Sequence, residues 1–346
     1  MKNWILICII LTGKCFSQDI HLSQFYNSDH LLSPSKVGDY DGDYRATLNY
    51  RNQWSQVNKQ PISTYLFSFD HLFYLMNHEF DAGIMVASDR FSGKEFNIIT
   101  NSNVNYSVNT NKILLSLGTN YKYGLNKFRA GIQTGLVLSA SDPNAQTYDN
   151  QWDYSFGDFN TSWASMESQL VPSQKYWDLN IGGQWTRKIG KIEPTIGFSI
   201  NHINRPKDSF LKNNKERLRA RKVFFIDFNY PLTTTLSLQP KLFFMWTAKA
   251  NDFMLGSNIR KSISNKNFTS VYAGLFYRHG VERIFDAISP ALGFKYKKFD
   301  IGLSYDFNLS SLSSGTNSRK GTFELSVIYT GASTMPKKMF IPCDRY

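Results

Sequence analysis

The chain has 346 residues, of which 42% are apolar, 15% aromatic and only 19% charged, with a formal charge of +12. That much aromatic surface excludes a disordered chain, and the abundance of Tyr, Phe, Asn and Ser argues against a helical globular enzyme. A mean hydropathy of −0.35 excludes a bundle of membrane helices, which leaves a β-rich chain, either a soluble sandwich or an outer-membrane barrel.

The N-terminus selects a compartment. Met1-Lys2-Asn3 is a basic start, Trp4 to Leu11 is an apolar run, and Thr12 to Ser17 supplies small residues before Gln18-Asp19. This is the layout of a secretory signal peptide over 1–17, with cleavage expected after Ser17. The apolar run is too short to cross a bilayer, which takes about 20 residues. A lipoprotein signal would use Cys15, but Lys14 stands where such signals need a small residue. Cleavage removes Cys8 and Cys15 and leaves Cys343, so no internal disulfide holds the exported fold.

Downstream, strict alternation recurs over about ten residues, the spacing that gives a strand two different faces. Ile113, Leu115 and Leu117 alternate with Lys112, Leu114, Ser116 and Gly118. Trp177, Leu179 and Ile181 alternate with Asp178, Asn180 and Gly182, and Ile196, Phe198 and Ile200 with Thr195, Gly197 and Ser199. Phe299, Ile301, Leu303, Tyr305 and Phe307 alternate with Asp300, Gly302, Ser304 and Asp306. Strands of this length, with Gly, Ser and Asn on the second face, fit apolar side chains toward lipid and polar ones toward a crowded lumen. Trp54, Phe73, Tyr123, Trp177 and Trp246 fall at strand ends, where rings would sit at the two membrane interfaces.

Strands are expected near 44–54, 63–73, 79–88, 111–123, 127–138, 176–187, 191–202, 221–230, 234–246, 253–261, 269–278, 288–297, 299–309 and 321–331. The fold class is therefore all-β, an antiparallel transmembrane barrel of about fourteen strands, the even number that single-chain bacterial barrels show. Connections alternate between a mostly short set and a set holding the long ones, 89–110, 139–175, 203–220 and 310–320. With both termini periplasmic, every long loop falls outside. The segment 98–108 is assigned to an outer loop, because a fifteenth strand there breaks parity and alternation. The organisation expected is a signal peptide (1–17), a periplasmic N-terminal leader (18–43), the barrel (44–331) and a C-terminal tail (332–346).

The leader and first strands carry a family resemblance. Ser23-Gln24-Phe25-Tyr26, Gly42-Asp43-Tyr44-Arg45, Asn49-Tyr50-Arg51-Asn52-Gln53-Trp54 and Ser68-Phe69-Asp70 resemble the PorP/SprF family of outer-membrane proteins of the type IX secretion system in Bacteroidetes. His202 to Pro206, Tyr277 to Gly280, Ile301 to Phe307 and the terminus Ile341-Pro342-Cys343-Asp344-Arg345-Tyr346 agree, although Asp344 stands where the family usually has a second Pro. The resemblance implies a barrel in the Gram-negative outer membrane and not an enzyme. It further implies pairing with large secreted adhesins through their C-terminal domains, or work with periplasmic components of the secretion and gliding machinery.

The residues themselves mark two candidate sites. Strand one puts Arg45, Asn49 and Arg51 on one face, and with Asp70 and Asp306 they form a candidate lumen network of charged hydrogen bonds. Bracing of the interior is the plainer role for it. A conducting pore is open to such a barrel, but long side chains and the leader would plug it. The loop 139–175 is acidic and aromatic, with Trp152, Tyr154, Phe156, Asp158 and Trp163, whereas 203–222 is strongly basic and includes Arg217 and Arg219. These seven residues are the candidate partner-binding set, since aromatics and Arg carry most interface affinity. The basic loop would otherwise face lipopolysaccharide. No cofactor, metal site or catalytic constellation is expected, and export disfavours the nucleic acid that a pI of 9.4 would suggest. The competing functional classes are an outer-membrane channel for small or apolar solutes and a scaffold for periplasmic machinery built on residues 18–43 and the tail.

Overall fold

The structure is a computed structural model and describes residues 20–53, 62–75, 78–97, 102–142, 147–165, 170–212, 217–248, 250–265, 267–280, 283–309 and 321–332. The expected signal peptide, Trp54, the loop 310–320 and the tail segment 333–346 with Cys343 lie outside the described residues.

Fourteen antiparallel strands make the wall. They are β1 (Tyr44–Gln53), β2 (Ile62–Leu75), β3 (His78–Asn97), β4 (Ser102–Tyr123), β5 (Asn126–Ser141), β6 (Ser173–Arg187), β7 (Thr195–Asn201), β8 (Arg221–Asp227), β9 (Leu236–Thr247), β10 (Ala250–Ser262), β11 (Phe268–Gly280), β12 (Arg283–Tyr296), β13 (Phe299–Asn308) and β14 (Thr322–Gly331). Each pairs with its neighbours in sequence, and β1 pairs with β14 from Tyr44↔Gly331 to Gln53↔Thr322. The pairing of β8 with β9, from Lys222↔Trp246 to Asp227↔Lys241, closes the cylinder. Closure leaves no unpaired edge, the condition for a sheet to cross a membrane.

Alternation assigns the faces as read. Leu115, Leu117, Leu275 and Leu292 stand out from the wall, while Ser116, Asp178, Asn180, Ser199, Asp306 and Ser326 are buried inside it. Phe73, Tyr123 and Trp177 are exposed near strand ends.

Several strands run longer than expected, and three of the departures from expectation have a visible local cause. The segment 98–108 is not an outer loop over its described part. Ser102–Val108 continues β4 and pairs with Phe91–Asn97 of a lengthened β3, so the hairpin grows without adding a strand. Parity survives because both arms lengthen together. Strand β7 starts at Thr195 rather than 191, since Ile189 and Ile192 bridge across a tight turn with Gly190 at φ 59°, and Pro194 has no N–H for a ladder. Strand β8 ends at Asp227, and Tyr230–Pro231 pairs separately with Ser237–Leu238.

The leader packs within the cylinder. From Ile20 it forms a 3-10 turn (Phe25–Asn27), one α-helical turn (Asp29–Leu32) and a second 3-10 turn (Pro34–Lys36), and most of its side chains are buried. The small inward residues make room for it. A Cβ at Gly131 would fall on the Pro34 carbonyl, one at Gly182 on Ser33, and one at Gly83 on the His30 ring.

Candidate functional site: the filled lumen and the outer loops

Strand β1 runs from the short-turn end at Tyr44 to the long-loop end at Gln53, so its inward side chains gauge position along the lumen. Arg45, low on the wall, donates through Nε to Asp70 Oδ1 at 3.1 Å and through Nη2 to Asp70 Oδ2 at 2.7 Å. It also donates to Asp29 of the leader and to the Lys36 carbonyl at 3.3 Å. Arg51, high on the wall, donates to Glu324 at 2.8 Å and to the His21 carbonyl at 2.7 Å. The leader therefore threads the lumen with its N-terminal residues toward the long loops, and Arg221 at that end donates to the Ile20 carbonyl at 3.5 Å.

Register explains two of the ion pairs. Arg45 lies directly opposite Asp70, and Arg51 directly opposite Glu324. The carboxylates have lone pairs to spare, and the leader uses them. Glu324 accepts from the backbone N–H groups of Ser23 and Gln24, both at 2.8 Å. Asp306 accepts from Ser23 Oγ at 2.6 Å, Ser289 Oγ at 2.5 Å and Arg278 at 3.1 Å. Asp70 accepts the Gly38 N–H at 2.8 Å. Gly38 sits at φ 74°, and a Cβ there would run into Asp81, so the chain turns at a residue only glycine fills.

Other wall residues satisfy the irregular backbone of the leader from all sides, as groups removed from water require. Arg129 donates to the Ser35 and Val37 carbonyls at 3.3 and 2.6 Å, Gln133 to His30 at 3.2 Å and Ser199 to Leu32 at 3.1 Å. Lys36 bonds Asp227 at 3.0 Å, and Asp39 takes Lys127 at 3.0 Å and Gln184 at 2.7 Å. One stretch of wall is apolar. Phe25 stacks on Phe243 with centroids 5.2 Å apart, Tyr26 stacks on Phe276 at 4.9 Å, and Leu32, Val223, Phe225 and Met254 complete the cluster.

All five candidate lumen residues thus face inward onto the leader, with Asn49 donating to the Asn27 carbonyl at 3.3 Å. Sequence reasoning passed over Glu324, Asp81, Arg129 and Arg278. For Glu324, Asp81 and Arg129 the signal was present, since each is a charged residue opposite an outward face of large apolar side chains, whereas Arg278 shares its inward face with Tyr272 and Phe276.

At the opposite end the outer loops carry the second candidate set. Trp152–Asp153 pairs with Asp158–Phe159 in a small hairpin, with the Trp152 ring edge-on to Phe159 at 4.8 Å. Tyr154 and Phe156 project from its tip at 90% and 70% exposure. The exposed Trp163 is tied to the hairpin base by Gln151, which donates to its carbonyl at 2.7 Å. Arg217 and Arg219 are exposed on the basic loop, and Arg217 donates to the Arg205 carbonyl at 3.1 Å. The root of the acidic loop lies against the middle of the basic one, where Leu170 bridges Leu211 and the Val171 N–H bonds the Phe210 carbonyl at 2.7 Å.

Among solved structures, the toluene transporter TbuX of Ralstonia pickettii is similar with a TM-score of 0.51 and 8% identity, covering 88% of this chain and 92% of its own. The toluene transporter TodX of Pseudomonas putida gives 0.51 and 9%, covering 87% and 92%. At such identity the likeness is one of fold, an outer-membrane barrel. No curated protein matches the chain. The model of the type IX secretion system membrane protein PorP/SprF matches residues 14–329, nearly the whole chain, and the protein belongs to that family.

Proposed function

We propose that this barrel displays or anchors type IX secreted adhesins at the cell surface by receiving their C-terminal domains on its outer loops. One observation carries the reading: Tyr154 and Phe156 stand exposed at the tip of a braced hairpin at the long-loop end. Large rings held out into water on an ordered support are the usual form of an interface anchor. The basic loop with Arg217 and Arg219, bridged to the acidic loop at Leu170, offers a second, oppositely charged element. The filled lumen weighs against a solute channel. The burial of residues 20–37 weighs against a leader that hangs free as a ligand for periplasmic secretion and gliding components.

The test is capture of an adhesin C-terminal domain by the purified barrel. The triple substitution Tyr154→Ala, Phe156→Ala, Trp163→Ala should weaken capture at least tenfold, a loss of about 1.4 kcal/mol or more, with heat-modifiability on gels unchanged. Undiminished capture removes the hairpin from the interface. A steady open conductance of the intact protein in a planar bilayer would favour the channel reading instead.

A further inference from the structure

Large apolar side chains stud the outward face of the barrel among the described residues, and a row of small ones interrupts them on β4, β5 and β6. Thr119, Ala130 and Gly183 lie side by side on β4, β5 and β6, in register with one another and then with Phe198 of β7. The row on the loop side is Leu117, Ile132 and Ile181, all exposed, and the row on the turn side is Tyr121, Phe128 and Trp185. The small residues leave a groove of about 460 Å³ in the lipid-facing surface, bounded by Tyr121, Phe128 and Trp185 on the turn side and by Ile196, Phe198 and Phe224 at its β7–β8 end. That volume falls within the roughly 300–1,000 Å³ of ordinary ligand sites.

Packing does not require the glycine in its floor. A Cβ at the neighbouring inward Gly182 would strike the leader, but at Gly183 its nearest contact would be the Arg129 carbonyl at 3.9 Å. The turn-side row is a band of rings, the position where aromatic side chains meet lipid headgroups. Arg187 follows Trp185 on the same outward face, two residues or roughly 7 Å nearer the turn. It is exposed, as are Lys188 and Lys191, and none of the three makes an ion pair among the described residues. Glu193 is the one carboxylate on that turn.

We infer that this groove is a binding site for one anionic phospholipid of the periplasmic leaflet. An acyl chain lies over Ala130 and Gly183 between the turn-side rings and Phe198, and the phosphate group sits against Arg187, Lys188 and Lys191. The charge complementarity sets the headgroup, and the position at the short-turn end sets the leaflet.

Native mass spectrometry of the whole barrel in detergent, titrated with phosphatidylglycerol or phosphatidylethanolamine, tests it. The unmodified protein should hold one phosphatidylglycerol, at least tenfold in preference to phosphatidylethanolamine. Gly183→Leu fills the groove and should lose both lipids, with heat-modifiability reporting that the barrel is intact. Joint substitution of Arg187→Gln, Lys188→Gln and Lys191→Gln leaves the groove open and should abolish the preference between the two headgroups. Absence of a retained lipid on the unmodified protein, equal retention of both headgroups by it, or unchanged retention by Gly183→Leu would each overturn the assignment.

Discussion

The leader meets two different walls inside one barrel. Along β13, β14, β1 and β2 it is held by charged hydrogen bonds to Asp306, Glu324, Arg51, Arg45 and Asp70. Along β8 to β11 polar bonds reach it from the two ends of β8, at Arg221 and Asp227, and between them it is held by packing of Phe25, Tyr26 and Leu32 on Val223, Phe225, Phe243, Met254 and Phe276. The acid–base pairs of the first wall mostly run from strand to strand and would persist without the leader, whose amides and hydroxyls use the remaining lone pairs. The apolar wall has no such independence, because its rings are covered only while Phe25 and Tyr26 lie over them. The charged wall therefore sets where the leader sits, since each bond has one geometry, and the apolar wall supplies non-directional burial.

The strongest way to break this comparison is to delete residues 20–37 behind the signal peptide. The pairs Arg45–Asp70, Arg51–Glu324, Arg129–Asp81 and Arg278–Asp306 stay matched within the wall, and water can enter to solvate them. The barrel should remain heat-modifiable while a planar bilayer changes from silent to steadily conducting. A silent deletion variant would mean that something other than this segment closes the lumen.

A smaller change separates the walls. Glu324→Ala leaves the Arg51 guanidinium buried without its carboxylate and strips the Ser23 and Gln24 amides of their acceptor. Removing one partner of a buried ion pair costs about 3–5 kcal/mol, so unfolding in detergent should shift by that order. Glu324→Gln keeps an acceptor and should recover part of the loss. Equal loss in both variants would assign the effect to the charge alone rather than to the leader's amides.

The barrel was legible in the sequence, whereas its contents were not. Alternation such as Leu303-Ser304-Tyr305-Asp306 states directly which side chain meets lipid, because the period of a strand is fixed by backbone geometry. The leader has no period. Its contacts join Ser23 to Glu324 and Gln24 to Ser326, some 300 residues apart, and many bonds go to carbonyls, which every residue type possesses. Arg45 and Arg51 were found because one strand's parity exposed them, and the same parity applied to β14 would have shown Glu324 between Thr322 and Ser326. The lengthened β3–β4 hairpin was missed because 98–108 was weighed as a separate fifteenth strand, which parity forbids, and not as an extension of β4 paired with a longer β3.

The smallest effect belongs to the apolar wall. Phe25 touches Tyr26, Phe243 and Phe276. Large-to-small substitution of a buried Phe costs about 3–5 kcal/mol, depending on how far the site collapses. The leader is short and irregular, so Tyr26 can shift toward the vacancy, and Phe25→Ala is expected at about 3 kcal/mol, the lower end of that range. Phe25→Leu should cost less, because an apolar side chain still covers Phe243. Since no charge is stranded, Phe25→Ala should unfold at a higher denaturant concentration than Glu324→Ala. The reverse order would make burial, rather than the matched carboxylates, the principal hold on the leader, and the division between the two walls would have to be redrawn.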